Sequence, residues 1–469
     1  MATIIEQKPY FTKLPVGQDV VFVVSNNTIV AAELKVKFIA KVHISSGNPP
    51  NVTTSDNLIG TFKTTPNNAG VGIFNFRDIV ENYVKPDNMA ADGSSYKGTE
   101  TDSDNHHPIH LIDKYSVNNN AIRYLSIEFG IEYLGATDCN GGQDDNVIRE
   151  SCGEEEYSTD YTLFNAYLKY DDVLTVVNND FGYDVSKFNP GGYITSQILT
   201  NIPNLGSTGK VYATKEDYGT LAFFNPNDDI TNWTIEIYHA GGIYSLNIPF
   251  TSSNGAYNGW NAETSKQLVY FGCYPGNLRE QYWFNYYLDT MTHYDVYAIG
   301  SGSVGMMSAF SVHILCPDLR GYDPIRLAWL NQWGVWDYFT FNKKSTKSLS
   351  AKGTTYNQLE GTWNEGIYRA DSYKGGKKTF NVNATEKIKM NTDYVSEDNN
   401  VLFEELINSP EVYILEGFQT DITNSALNQY VTPVRLTTSN FTRKTVANDR
   451  LIQYTFEVEK TKTLRTQSV

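Results

Sequence analysis

The chain is expected to be mainly β: several sandwich-like modules, closed by a C-terminal module of sheet plus helix. Three observations predict this. Aromatic residues make up 13% and charged residues 19% of the 469 positions, with 33 Tyr against 7 Trp, a balance that suits strands and broad contact surfaces. Clusters of Asn, Gly, Thr and Ser recur at short intervals between apolar stretches, as in short strands joined by turns. A chain of this length exceeds one small core, so two or three domains follow.

The first strands are the clearest. Leu34, Val36, Phe38, Ala40, Val42 and Ile44 alternate with Lys35, Lys37, Ile39, Lys41 and His43, and Leu125, Ile127, Phe129, Ile131 and Tyr133 alternate with Ser126, Glu128, Gly130 and Glu132. That near period of two predicts strands with one wet face. Arg77–Val84 reads as a short helix with Ile79, Val80 and Tyr83 turned inward. Residues 1–136 thus read as a β-sandwich-like domain. Residues 86–119 form a polar excursion and residues 135–160, rich in Gly, Asp and Glu, another.

Residues 137–318 read as a second β-rich domain with long loops. Trp233, Ile235 and Ile237 alternate on one strand, and Val269–Phe271 and Phe310–Leu315 supply others. Turns are expected at 189–192, 225–229 and 252–259. Residues 319–469 form a β domain carrying one helix at about 396–408. Pro324–Phe341 is densely aromatic, and Asn342–Ser350 turns basic and hydroxyl-rich. The helix has Ser396 as N-cap, acids in its first turn, a stripe of Val401, Leu402, Leu406 and Ile407, and Pro410 as its stop. Strands at Val412–Leu415, Val431–Leu436 and Arg450–Glu459 close the chain.

Net charge is −16, and it is unevenly spread: residues 1–319 hold 18 Lys and Arg against 36 Asp and Glu, and residues 320–469 hold 19 against 17. An acidic chain lacks the basic face that sequence-specific DNA binding needs, although a duplex would slide past an acidic wall without sticking. No signal peptide is expected, since Met1–Glu6 runs straight into polar sequence, and no apolar run is long enough to span a bilayer. Cys273 and Cys316 sit in apolar settings and read as core residues. Cys139 and Cys152 flank one polar loop, where pairing is open, and synthesis in a cytoplasm is the simplest expectation.

Motif tests point away from an enzyme, and no catalytic residue, cofactor or metal ligand is assigned. Gly300–Gly305 matches GxGxxG, but a strand follows where a dinucleotide site needs a helix, so a hairpin loop is the better account. Asp102, Asp104, His106, His107 and His110 lie in a polar loop without the register of a metal helix. Asp138–Asp145 offers oxygens and glycines but lacks the twelve-residue calcium spacing. Trp329, Trp333, Trp336 and Tyr338 have the chemistry to stack on sugars, yet rings at the entrance to a strand more often form core or subunit interface.

The stretch Ile325–Phe341, followed by Lys343, Lys344, Ser345, Thr346, Lys347 and Ser348, resembles a pattern in tail and collar structural proteins of crAss-like and related marine phages. Segments 7–18, 271–278, 431–435 and 454–459 fit the same likeness. The resemblance implies a virion protein that forms a ring or hub between portal and distal tail, with a tail-tube-like C-terminal module and no catalytic residues. It implies copies of itself in a six- or twelve-fold ring, neighbouring tail or portal proteins, and genomic DNA passing without specific binding. Its place would be the neck or tail of the virion, after synthesis in the bacterial cytoplasm. On this reading Trp329, Trp333, Trp336, Asp337, Tyr338, Lys343, Lys344 and Lys347 form an assembly surface, and the basic segment Lys343–Lys389 pairs with the acidic first two-thirds of a neighbour. The alternative is a receptor- or glycan-binding protein of the tail tip.

Overall fold

The computed structural model describes residues 2–46, 49–52, 57–84, 122–168, 174–178, 180–183, 197–202, 210–224, 230–249, 268–279, 281–300, 305, 309–315, 321–364, 366–416, 431–444 and 452–468. The protein is mainly β, 52% strand and 10% helix, arranged in several separate sheets. By contacts the chain forms two compact units. One takes Met1–Ile314 with Leu330–Asp337, and the other takes Leu315–Trp329, Tyr338–Gln419 and Ala426–Val469.

The first unit opens with two facing sheets. Ile4–Gln7, Val21–Ser25 and Val71–Asn75 form a three-stranded sheet. A seven-stranded sheet runs Lys13–Pro15, Tyr161–Phe164, Ile122–Leu134, Lys37–Ser45 and Leu58–Thr64, with Ile148–Glu150 and Glu156–Tyr157 also paired to Ile122–Leu134. Their shared core contains Phe22, Phe38, Ala40, Val42, Phe74, Phe129, Ile131 and Tyr161. Phe22 meets the Phe129 ring at 5.3 Å and the Tyr161 ring at 5.8 Å, so aromatic rings interlock across the layers.

The expected alternation holds with corrections. Lys35 has φ +58° and the strand starts at Lys37, which leaves Leu34 exposed. Its second face is not simply wet, because Ile39 and His43 are buried there. Beside them Lys41 lies 2.9 Å from Glu128 and 2.7 Å from Glu150, so opposite charges cover the sheet across its strands. The helix expected at Arg77–Val84 is only Arg77–Val80, with Val80 buried but Tyr83 36% exposed.

A second pair of sheets follows in the same unit. Gln197–Ile198, Thr220–Phe224 and Leu268–Gly272 form one. The other runs Val211–Ala213, Phe310–Ile314, Met291–Gly300, Ile230–His239 and Gly242–Pro249. Trp233, Ile235 and Ile237 are fully buried, as their spacing predicts, and Trp233 stacks on Phe271 at 4.2 Å. Met291–Gly300 and Phe310–Ile314 are antiparallel neighbours, and residues 301–304 of the GxGxxG segment lie outside the described residues. The turns expected at 189–192, 225–229 and 252–259, the cluster Asp102–His110 and Cys316 lie outside the described residues.

The eight-stranded sheet that dominates the second unit runs Trp336–Phe341, Ile325–Leu330, Val412–Leu415, Val431–Leu436, Thr455–Lys460, Gly376–Asn391 and Thr346–Gln358, with Leu464–Ser468 also paired to Gly376–Asn391. The expected C-terminal helix is present as a 3-10 turn, Glu397–Asn399, leading into Asn400–Asn408. Ser396 makes no side-chain cap. Its hydroxyl instead accepts from Asn399 Nδ2 at 2.9 Å. The buried stripe is Leu402, Phe403 and Leu406 rather than one that includes Val401, which is 37% exposed. Phe403 contacts the Phe339 ring at 5.1 Å and the Phe456 ring at 5.3 Å, which docks the helix on the sheet.

Candidate assembly surface

The aromatic segment and the basic segment after it form two hairpins of opposite character. In the first, Ile325–Leu330 leads to a turn and Trp336–Phe341 returns. Asn331 builds that turn. Its side-chain oxygen accepts from the Trp333 and Val335 amides at 3.0 and 3.2 Å, and its amide nitrogen donates to Leu199 O and Asp337 Oδ2 at 2.9 and 3.0 Å. Gly334 has φ +74°, and a Cβ there would lie 1.7 Å from Asn165 O, so only glycine fits.

The rings expected to form an interface are in the chain's interior. Trp329, Trp333, Trp336, Asp337 and Tyr338 are each no more than 3% exposed. Asp337 also accepts from the Thr200 hydroxyl at 2.6 Å, and burial pushes its carboxyl up to about 6. Arg326 donates to the Thr340 hydroxyl at 2.8 Å and lies 5.1 Å from the Tyr338 ring centre. Asp337 and Tyr338 thus have partners in their own units, and at this burial a neighbour would not reach any of the five.

The lysines are placed differently. Lys343 is half-buried and 2.9 Å from Asp393, whereas Lys344 and Lys347 are exposed. They lead into the second hairpin, Thr346–Gln358 paired with Gly376–Asn391 over thirteen register positions. Leu464–Ser468 supports Gly376–Asn391 only as far as Asn381. Beyond that point, among the described residues, the two strands continue without a third to a smaller hairpin, Gly361–Asn364 with Ile367–Ala370. At about 3.3 Å per residue the thirteen-residue strand is roughly 40 Å long.

Local chemistry explains how the tip holds its shape. Gly366 at φ +90° makes the turn between the tip strands. Gly361 leaves room for the Tyr368 ring, whose Cζ would lie 2.8 Å from a Cβ there. Lys374 donates to the Thr362 hydroxyl at 2.7 Å and sits 3.3 Å from Asp371, and Lys378 donates to Tyr373 O at 2.9 Å. The described residues leave the tip uncovered. Leu359 is 77% exposed, Trp363 71% and Tyr373 72%, with Ile367 and Tyr368 also more than half exposed. Two strands alone are marginal in water, and exposed apolar side chains grouped on one element mark a contact surface.

These five residues were absent from the interface expected from sequence. A signal was present in GTWNEGIYRA, where a Gly-bearing hairpin carries single large apolar residues with no run to form a core. The ribbon is also strongly basic, with ten Lys and Arg against four Asp and Glu from Lys343 to Lys389.

Three further features belong to the first unit. Cys139 and Cys152 form a disulfide across the polar loop. The calcium-like Asp138 is occupied by its own chain: it accepts from the Asn140 and Gly142 amides at 3.0 and 2.8 Å and pairs with Arg149 at 3.0 Å. Those backbone bonds, chiefly that from Gly142, hold its carboxyl below the usual range. Separately, Tyr212, His313, His293 and Tyr238 face one another in register across four strands, at ring separations of 5.7, 4.7 and 4.3 Å. Burial, with His293 adjacent, lowers His313 to about 4. Tyr282, Trp283 and Tyr286 form an exposed aromatic group on one short helix, Tyr282–Tyr287.

No protein-family model and no curated protein matches the chain. Two solved structures are similar to it at 8% identity. One is the native conformation of E. coli alpha-2-macroglobulin, covering 83% of this chain and 22% of that one at a TM-score of 0.17. The other is from a study of host cell surface retention of a 1.5-MDa bacterial ice-binding adhesin, covering 82% and 92% at a TM-score of 0.13. The chain spans about a fifth of the macroglobulin's length.

Proposed function

We propose that this chain is a non-enzymatic structural protein of a tailed-phage virion, a ring or hub in the neck or tail built from copies of itself and its neighbours. The observation that carries this reading is the basic ribbon, whose apolar tip the described residues of its own chain leave uncovered. A protein that worked alone would gain nothing from holding Trp363 and Tyr373 in water, whereas an assembling protein covers them in its neighbour. The Cys139–Cys152 disulfide suits a particle that persists outside the reducing cytoplasm. The overall charge of −16 suits a channel wall past which DNA moves without adhering. The test is imaging of purified virions carrying a labelled copy. Label on the head–tail axis is expected, and its absence there defeats the reading.

The second reading is a glycan-binding protein of the tail tip, and one observation favours it. Tyr282, Trp283 and Tyr286 are exposed in the unit that also carries the Tyr212–Tyr238 row, and rings of this kind stack on sugars. Binding on a glycan array that is lost in Trp283→Ala would favour it over the ring.

A further inference from the structure

We propose that the ribbon of one copy seats on the disulfide-stapled loop 138–160 of another copy, joining copies head to tail. This rests on the reading above, that the chain assembles with itself.

The ribbon sets the requirement. Among the described residues Lys347, Lys352, Arg369, Lys377 and Lys378 are in no ion pair; Lys347 and Lys352 lie along the ribbon, and Arg369, Lys377 and Lys378 lie near the uncovered Leu359, Trp363, Tyr368 and Tyr373 at its tip. Its partner must therefore offer unneutralised acids together with exposed apolar side chains, on a backbone that is already ordered.

The loop offers all three. Between Asp138 and Asp160 it carries eight Asp and Glu against one Arg. Among the described residues Asp144, Asp145, Glu155, Glu156 and Asp160 are in no ion pair, and Val147, Ile148 and Tyr157 lie exposed among them at 40%, 38% and 46%. Acids alone would be a solvated surface. The loop is distinguished by the apolar residues set between them and by the unpaired cations on the same chain's ribbon.

Order is supplied internally. The Cys139–Cys152 disulfide closes the loop, Arg149 ties it to Asp138, and strands Ile148–Glu150 and Glu156–Tyr157 anchor it on Ile122–Leu134. A seat fixed before contact loses little freedom when a partner arrives. The charges steer and select, since exposed pairs are individually weak, and the rings provide the buried area. Because ribbon and loop are different patches, the contact is heterologous, and repetition yields a ring where the rotation closes.

Charge exchange in the full chain is the test, read by sedimentation velocity at low salt with carbodiimide cross-linking. Reversing the ribbon (Lys352→Glu, Lys377→Glu, Lys378→Glu) is expected to weaken self-association about tenfold or more, as is reversing the loop (Asp144→Lys, Asp145→Lys, Glu156→Lys). A chain carrying both reversals should regain association, with Lys–Glu cross-links replaced by links of the opposite polarity. If the ribbon reversal dissociates the assembly but the loop reversal does not, or the double reversal stays dissociated, the seat is elsewhere and self-assembly stands. Oligomers indifferent to both reversals overturn this seat as well. A wild-type chain that sediments as a monomer at every concentration overturns both the seat and self-assembly.

Discussion

Two consecutive hairpins, Ile325–Phe341 and Thr346–Asn391, are both rich in aromatic residues and meet opposite fates. The first places Trp329, Trp333, Trp336 and Tyr338 inside, and the second leaves Trp363, Tyr368 and Tyr373 outside. The difference lies in what stands between the rings. In the first hairpin the run Leu327–Leu330 and then Val335 surround the rings with apolar residues and few charges, enough to be covered on both sides. In the second, single rings alternate with Gly, Thr, Asn and Lys, so no set of neighbours can bury them. Aromatic content therefore marks a surface that needs covering, and the intervening residues decide whether the chain or a partner covers it.

The largest expected effects break the buried hairpin. Trp333→Ala should cost about 3–5 kcal/mol through a cavity that a packed interior closes only in part, read as a lower midpoint in denaturant unfolding. Gly334→Ala should be of similar severity, because it combines a positive φ with the Asn165 carbonyl. If either leaves the midpoint unchanged, the interior placement of this turn is wrong. By contrast Trp363→Ala should shift the midpoint by less than about 0.5 kcal/mol, the range of surface changes, while lowering self-association.

Burial raises Asp337 from the ordinary 3.8 to about 6, so the folded chain holds this proton more tightly than the unfolded one. That contribution to stability is complete below about pH 4 and is lost progressively as pH rises to about 6. Asp337→Asn should flatten the stability profile across this window. An unchanged slope would mean that Asp337 is not the group responsible. The smallest effect expected is at the tip, where Thr362→Ala removes the exposed bond from Lys374 and should cost less than about 0.5 kcal/mol in thermal unfolding.

Much of the fold was legible in the sequence because burial imposes periodicity. Phe38, Ala40 and Val42, Leu125 to Ile131, and Trp233, Ile235 and Ile237 are all buried as their spacing predicts. Boundaries were less legible. Leu34 continues the alternation, but Lys35 takes a left-handed backbone that spacing does not reveal. The helix near 400 was found without its true stripe, because Phe403 is chosen by Phe339 and Phe456, distant in sequence. Pairing of Cys139 with Cys152 also depends on distance, and their Cα atoms are 4.9 Å apart only once Ile148–Glu150 folds back on Ile122–Leu134. The candidate surface was half legible. Its exposed lysines, Lys344 and Lys347, stand out as a charge run, while its apolar members are scattered singly and leave no periodic trace.

The contrast between the hairpins is tested most directly by analytical ultracentrifugation of the full chain beside one carrying Trp363→Ser, Tyr368→Ser and Tyr373→Ser. The wild type is expected to sediment as a concentration-dependent oligomer. The variant should sediment as a monomer with an unchanged unfolding midpoint. A variant that assembles as the wild type does would contradict the claim that the ribbon joins the copies.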